Sequence, residues 1–289
     1  MYYLLLLPGM LYFILFKYVP LGGIVVAFQD YKIFKGILGS EWVGLENFRY
    51  IFGLPEFSSA VWNSIVLNVY SLVLGFPAPL ILALLLNEIR KMWFKRITQS
   101  LIYMPHFLSW VVVGGIFLSI LSPGYGVVNL VIQKFGGESI YFAAKLEYIR
   151  SIIVGSGIWR GAGWGTIIYL AALTTVDPQL YEAATADGAN RWYQMWYITI
   201  PAILPTATIL FLLKIGEMME YGFEHVYVFL NSAVLAKADT IETYVYRNGI
   251  EGGQYSLATA VGLFQMVIGL ILIMTANAVV KRYSEHSLY

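Results

Sequence analysis

Apolar residues in this chain come in long runs, and the runs recur from one end to the other. A helix needs about 20 consecutive apolar residues to cross the hydrocarbon core of a bilayer. Runs of that order cover residues 2–27, 61–86, 99–121, 149–175, 203–230 and 256–280. In hydrocarbon every backbone N–H and C=O must find its partner inside the protein, so such runs fold as helices. The expected fold is an all-α polytopic membrane protein with about six transmembrane helices, one domain over residues 1–289. A single soluble core is excluded, because only 12% of residues are charged where a soluble domain carries about 25%.

Polar segments punctuate the runs and set a topology. The first run has no basic segment before it and no A-x-A cleavage site, so it reads as a retained span. Pro8, Pro20 and Gly22-Gly23 predict that it is bent or broken, with Lys17 snorkelling near its end. Residues 29–60 form a loop with Trp42, Phe48, Tyr50 and Phe52, in which Val43–Phe52 is either a surface amphipathic helix or part of a folded loop. Pro77 and Pro79 are kink sites in the second run. Arg90, Lys91, Lys95 and Arg96 crowd the short segment 87–98, and Lys281-Arg282 follow the last run. Six spans put residues 87–98, 177–202 and 281–289 on one side. That side is expected to be cytoplasmic by the positive-inside rule.

Charges inside the runs mark candidate functional positions. A charge at mid-membrane costs about 2.5–3.5 kcal/mol on insertion scales, so it should face a cavity or a partner. Arg160 sits in the fourth run, beside Gly157, Gly161 and Gly165, whose four-residue spacing predicts a close-packing face. The fifth run holds Lys214, Glu217, Glu220, Glu224 and His225. If the helix is continuous, the first four share one face. That face is either the wall of a hydrated solute path or an ion-paired packing surface. Tyr169, Tyr221 and Tyr227 are candidate sugar-stacking groups, since flat rings pack on the apolar faces of sugars. Ala258, Gly262 and Gly269 are candidate packing residues in the last run.

Several functions are excluded or weakened. A net charge of +1 argues against nucleic acid. Without cysteine there is no disulfide framework or thiolate metal site, and His106, His225 and His286 form no ligand spacing. No Gly-Lys pair occurs, so a phosphate-binding loop for ATP must lie on another chain. No cofactor is expected on this chain, and no catalytic spacing suggests an enzyme. An ATP-independent channel or secondary transporter is the alternative to an ATP-driven one, although no repeat between the halves is visible.

One polar island interrupts the apolar pattern: Glu182-Ala183-Ala184-Thr185-Ala186-Asp187-Gly188-Ala189, then Ile198-Thr199-Ile200-Pro201. Asp177 and Pro178 suit a helix start, Gly188 a left-handed stop, and Asn190 the cap of a next helix running to about Pro201. Leu180, Tyr181 and Ala184 would share one face of the short helix, with Glu182 and Thr185 on another. The residue types and spacing resemble the EAA loop of bacterial ABC importer permeases, with isoleucine at 200 in place of the usual leucine. Further stretches resemble the carbohydrate branch of that family, whose oligo- and polysaccharide members include alginate and maltose importer permeases. They are Met104–Gly115, Trp159–Leu173, Asp239–Arg247 and Gln254–Tyr283. The resemblance implies the type I importer fold in the bacterial inner membrane. It also implies that Glu182, Ala183, Ala184, Asp187, Gly188, Ala189, Ile198 and Pro201 couple to an ATPase. The implied partners are a related second permease, two ATPase subunits holding ATP and Mg, and an extracytoplasmic solute-binding protein.

Overall fold

A computed structural model describes residues 2–283; His286 and the remainder of the C-terminal segment lie outside them. The architecture is helical, with one two-residue strand pair, Gln29–Asp30 against Glu41–Trp42. Four helices are long and apolar enough to cross a membrane: Leu6–Phe28, Pro55–Asn87, Arg191–Gly216 and Tyr255–Arg282. A bent pair, Met92–Phe107 and Trp110–Ile120, adds a fifth candidate crossing. The helix Ile149–Leu173 has 25 residues, about 37 Å at 1.5 Å per residue. It lies at the centre of the bundle, with Ile149, Ile153, Ser156, Thr166 and Tyr169 all buried.

The first helix is not broken at its prolines. It changes winding instead, with a π turn at Ile14–Tyr18 and a 3-10 stretch at Gly22–Phe28. Two more π turns, Ser71–Gly75 and Met195–Thr199, lie just before Pro77 and Pro201. Proline has no N–H for the carbonyl one turn back, and widening the preceding turn accommodates that loss without a break. Hence the helix after Asn190 does not stop at Pro201 but runs on to Gly216.

Two of the expected spans need correction. The third starts earlier than residue 99, and it is bent by 104° at Leu108-Ser109. The fifth ends at Gly216 rather than near 230. A turn follows, Gly222 takes a φ of +94°, and only a short helix, Phe223–Tyr227, forms beyond it. Lys214, Glu217, Glu220 and Glu224 therefore do not line one helix face. In the central helix the glycine face is also differently phased. A Cβ on Gly157 would stand 2.9 Å from His225 and one on Gly165 2.9 Å from Pro79, whereas Gly161 faces open space and Gly163 abuts the carbonyl of Ile102. Gly269 approaches Gly216 closely in the last helix, but a Cβ on Gly262 would meet nothing within 4 Å.

The loops are more ordered than loops need to be. In the first, Glu46–Phe52 buries Ile51 beside Phe57, Ile241 and Tyr244, so it belongs to the folded core. Residues 231–255 fold back as well. The Asn63 amide donates to the carbonyls of Ala236 and Asp239, and Arg150 donates to Asn63 Oδ1 at 2.7 Å and to the Lys237 carbonyl. Arg247 pairs with Asp239 at 2.6 Å. Burial pushes the Asp239 carboxyl up, against the pull of Thr243 and Arg247.

Candidate functional site

The polar island forms a short helix, Pro178–Ala186, with the expected punctuation. Asp177 Oδ1 accepts from the Gln179 N–H at 2.9 Å. At the other end the Gly188 N–H donates to Thr185 O and the Ala189 N–H to Ala184 O. This is the Schellman arrangement, which requires Gly188 to be left-handed, and its φ is +82°. Asn190 Oδ1 then accepts from the Tyr193 N–H, starting the next helix.

The short helix is fastened to the one that follows. The hydroxyls of Tyr181 and Thr199 meet at 3.0 Å, with Thr199 buried. Gln194 donates to Thr185 Oγ1 at 2.8 Å and to the Ala189 carbonyl at 3.2 Å. Arg191 pairs with Glu88 at 2.7 Å, linking the bend to the end of the second long helix. Tyr181 and Ala184 thus lie on the attached side and Glu182 on the exposed one, as spacing alone predicts, but Thr185 joins the attached side and Leu180 the exposed one. Ala184, Asp187, Gly188, Ala189 and Ile198 border one shallow depression with Tyr193 and Tyr197. Ala183 is exposed on the outward side, and Pro201 is exposed further along the next helix.

A second group of residues gathers where helices are interrupted. At the 104° elbow, Ser109 Oγ caps the new helix by accepting from the Val112 N–H. The interruption frees the Leu108 carbonyl, and Arg160 Nε donates to it at 3.0 Å. The same guanidinium lies 4.5 Å over the ring of Trp110. Trp110 stacks on His225 at 3.7 Å, and His225 Nε2 lies 2.9 Å from the Ile153 carbonyl and 3.0 Å from Ser156 Oγ. Arg160 is therefore satisfied by the elbow and not by Glu217 or Glu220. On the neighbouring turn His106 stacks flat on Trp164 at 4.5 Å.

The break after Gly216 carries the acidic residues. Lys214 and Glu217 form an exposed pair at 3.5 Å, and Glu220 and Glu224 are exposed. A groove of about 430 Å³ runs past Glu217, Glu220 and Gln265, with Gly262 at its floor. Non-helical backbone at membrane depth needs its polar groups paired. Two side chains absent from the sequence-based candidates do this. Gln265 donates to the Met219 carbonyl at 2.6 Å, and Glu242 Oε1 accepts from the Tyr221 N–H at 2.8 Å. Gln265 is a lone amide in an apolar run, which is the signal that could have found it. Tyr221 is half-buried and Tyr227 exposed, but Tyr169 is 2% exposed and packs with Ala83 and Ala207 in the chain's own core. Among the described residues no cluster of His, Cys, Asp or Glu could hold a metal ion.

Known proteins resemble this chain over most of its length. The profile of the family described as binding-protein-dependent transport system inner membrane component matches residues 75–285. The polygalacturonan/rhamnogalacturonan transport system permease protein YteP of Bacillus subtilis (strain 168) is 52% identical over 99% of this chain and 89% of its own length. An arabinooligosaccharides transport system permease protein, AraP of Halalkalibacterium halodurans, is 29% identical over 94% of this chain and 85% of its own. A crystal structure of a bacterial alginate ABC transporter, in complex with alginate pentasaccharide-bound periplasmic protein, superposes with a TM-score of 0.91 at 36% identity. It covers 99% of this chain and 96% of that one.

Proposed function

This chain belongs to the binding-protein-dependent transport system inner membrane components, the permease subunits of ABC importers, and from that membership we infer how its geometry works in polysaccharide import. It is a multi-pass inner-membrane subunit with no catalytic activity of its own. We propose six crossings, with the Ile149–Leu173 helix as the fourth and the bent pair as the third. Under that topology residues 177–190 and the C-terminal end are cytoplasmic.

The observation that carries the mechanism is the fastening of Pro178–Ala186 to the helix Arg191–Gly216 through Tyr181–Thr199 and Thr185–Gln194. A helix attached in this way cannot tilt alone. When an ATPase grips its outward side, at Glu182, Ala183 and Leu180, the displacement passes into the long helix behind it. That helix ends at the acidic turn, so the motion arrives at Glu217, Glu220 and Tyr221, which we place on the solute path with Arg160, Lys214 and Glu224. Tyr169 is then a packing residue that holds the central helix against its neighbours. The depression bordered by Asp187, Gly188, Ala189 and Ile198 would complete the ATPase contact.

The substrate class follows from the relatives. Similar proteins include a polygalacturonan/rhamnogalacturonan permease and a transporter of alginate, an acidic polysaccharide. We propose an acidic oligo- or polysaccharide, met by a path whose charges are of both signs, Arg160 and Lys214 against three glutamates. The complete assembly would contain a second, related permease, two ATPase subunits that hold ATP and Mg, and an extracytoplasmic binding protein. Purification of the tagged chain from mild-detergent membranes tests this. Recovery of an ATPase with a second permease, and ATP hydrolysis stimulated by a binding protein loaded with an acidic oligosaccharide, are expected. Recovery of the chain alone, with solute flux that persists without ATP, would favour the ATP-independent alternative instead.

A further inference from the structure

The hairpin that follows the first span carries an apolar tip with no role in the transport machinery described above. It leaves the membrane helix at Phe28, pairs Gln29–Asp30 with Glu41–Trp42, and closes over residues 31–40. Phe34 and Leu38 at its tip are fully exposed, each at 102%, and Ile33 is 59% exposed. Lys32 and Lys35 stand beside them, and both are exposed.

This exposure is built into the fold. Ser40 Oγ accepts from the Lys32 N–H and donates to the Gly36 carbonyl at 2.7 Å. Gln29 Nε2 donates to the Ile37 carbonyl at 2.9 Å, and Gly36 takes a φ of +64° to turn the chain. The base is tied to the last helix by the Tyr31 N–H on Ser256 Oγ. A tip held in this way keeps its apolar side chains out of the core, and in water that arrangement gains nothing.

We propose that this tip rests in the headgroup region of the outer leaflet, with Phe34 and Leu38 in the acyl boundary and Lys32 and Lys35 on anionic phospholipid headgroups. The hairpin continues directly from a membrane-spanning helix, so its base starts at headgroup level. Trp42 at that base is 63% exposed and stacks on Phe28, the arrangement of an interfacial aromatic anchor. Large apolar groups flanked by lysine suit such a surface, where burial of the former and attraction of the latter add. The contact would fix the height and tilt of the first helix, whose side chains from Leu6 to Leu21 are exposed along its length. The inference rests on the topology proposed above, which places residues 29–60 outside.

The chain has no cysteine, so single-cysteine labelling reads the tip directly. The complete complex carrying Phe34→Cys or, as a water-exposed reference, Glu138→Cys is reconstituted in vesicles of phosphatidylethanolamine and phosphatidylglycerol. Spin-label accessibility to oxygen and to a polar nickel chelate is then compared. The expected result is several-fold less chelate access at 34 than at 138, with oxygen access higher, and no change on adding loaded binding protein. A tip-water contact increasing when Lys32→Gln and Lys35→Gln are combined is also expected. Equal chelate access at both sites would overturn the proposal. So would protection at 34 that arises only with binding protein, which would make the tip a protein-docking surface. A membrane-impermeant maleimide on Glu138→Cys checks the topology separately: failure to react from outside would overturn the sidedness itself.

Discussion

At Gly188 the backbone lies in the left-handed region, and no atom stands within 4 Å of where a Cβ would be. A side chain there meets a conformational cost rather than a clash, about 1–2 kcal/mol for an ordinary residue. That is too little to unfold a membrane bundle but enough to shift the Schellman bend. We expect Gly188→Leu to insert and assemble while losing the link between ATP hydrolysis and transport, and Gly188→Asn to lose less. Normal binding-protein-stimulated ATPase activity in the leucine variant would contradict the lever. The Glu182 side chain is exposed and makes no hydrogen bond or ion pair to this chain among the described residues, so its carboxylate is free for a partner. Glu182→Lys should reduce co-purification of the ATPase without lowering the yield of this chain. Gly188 was legible as a helix stop because a stop is local chemistry, whereas Glu182 stood out only through the resemblance to the EAA loop. Arg160 was legible only as a residue needing a partner. Its partner is a carbonyl freed by the elbow, and no side-chain pattern advertises a freed carbonyl.

Helices in this chain are interrupted by two different means, and spacing reveals only one of them. Prolines announce themselves, yet Pro77 and Pro201 are absorbed by π turns and leave their helices continuous. The interruptions that redirect the chain, at Leu108-Ser109 and after Gly216, fall inside runs that spacing alone reads as one helix each. They are fixed by distant side chains instead. Gln265 and Glu242 hold the turn after Gly216 from the last helix and from the helix at Ile241–Tyr244. This is why a one-helix reading put four charged residues on one face. Gln265→Leu leaves the Met219 carbonyl without that donor, at a cost of about 1–3 kcal/mol for a buried group. We expect a lower unfolding temperature of the assembled complex and a fall in transport. Glu242→Gln, which still accepts from the Tyr221 N–H, should retain most of both, whereas Glu242→Ala should not. Equal behaviour of the two Glu242 variants would remove the clasp from the argument. At the lever, Tyr181→Phe deletes one hydrogen bond worth about 1 kcal/mol, and coupling should weaken with assembly intact.

On the proposed topology the whole molecule presents a charged surface that a lone chain would hold in lipid only at a cost. Glu217, Glu220 and Glu224 are exposed on a segment flanked by membrane helices. Each charge left facing hydrocarbon would cost up to about 3 kcal/mol on insertion scales. The groove beside Glu217 and Glu220 reaches onto Gly262, where an added Cβ would meet no neighbour within 4 Å. A second permease closing over this face would turn the same charges toward a shared aqueous path, so one surface would serve both assembly and transport. The consequence is testable in cells. Expressed without the proposed second permease, the chain should accumulate poorly, and replacing the three glutamates by glutamine should raise its level. In the complete assembly the same triple replacement should leave the level unchanged and depress import of the acidic saccharide or change its selectivity. A lone chain whose level ignores the three charges would mean that they do not meet lipid. The path would then have to be sought on another face of the bundle.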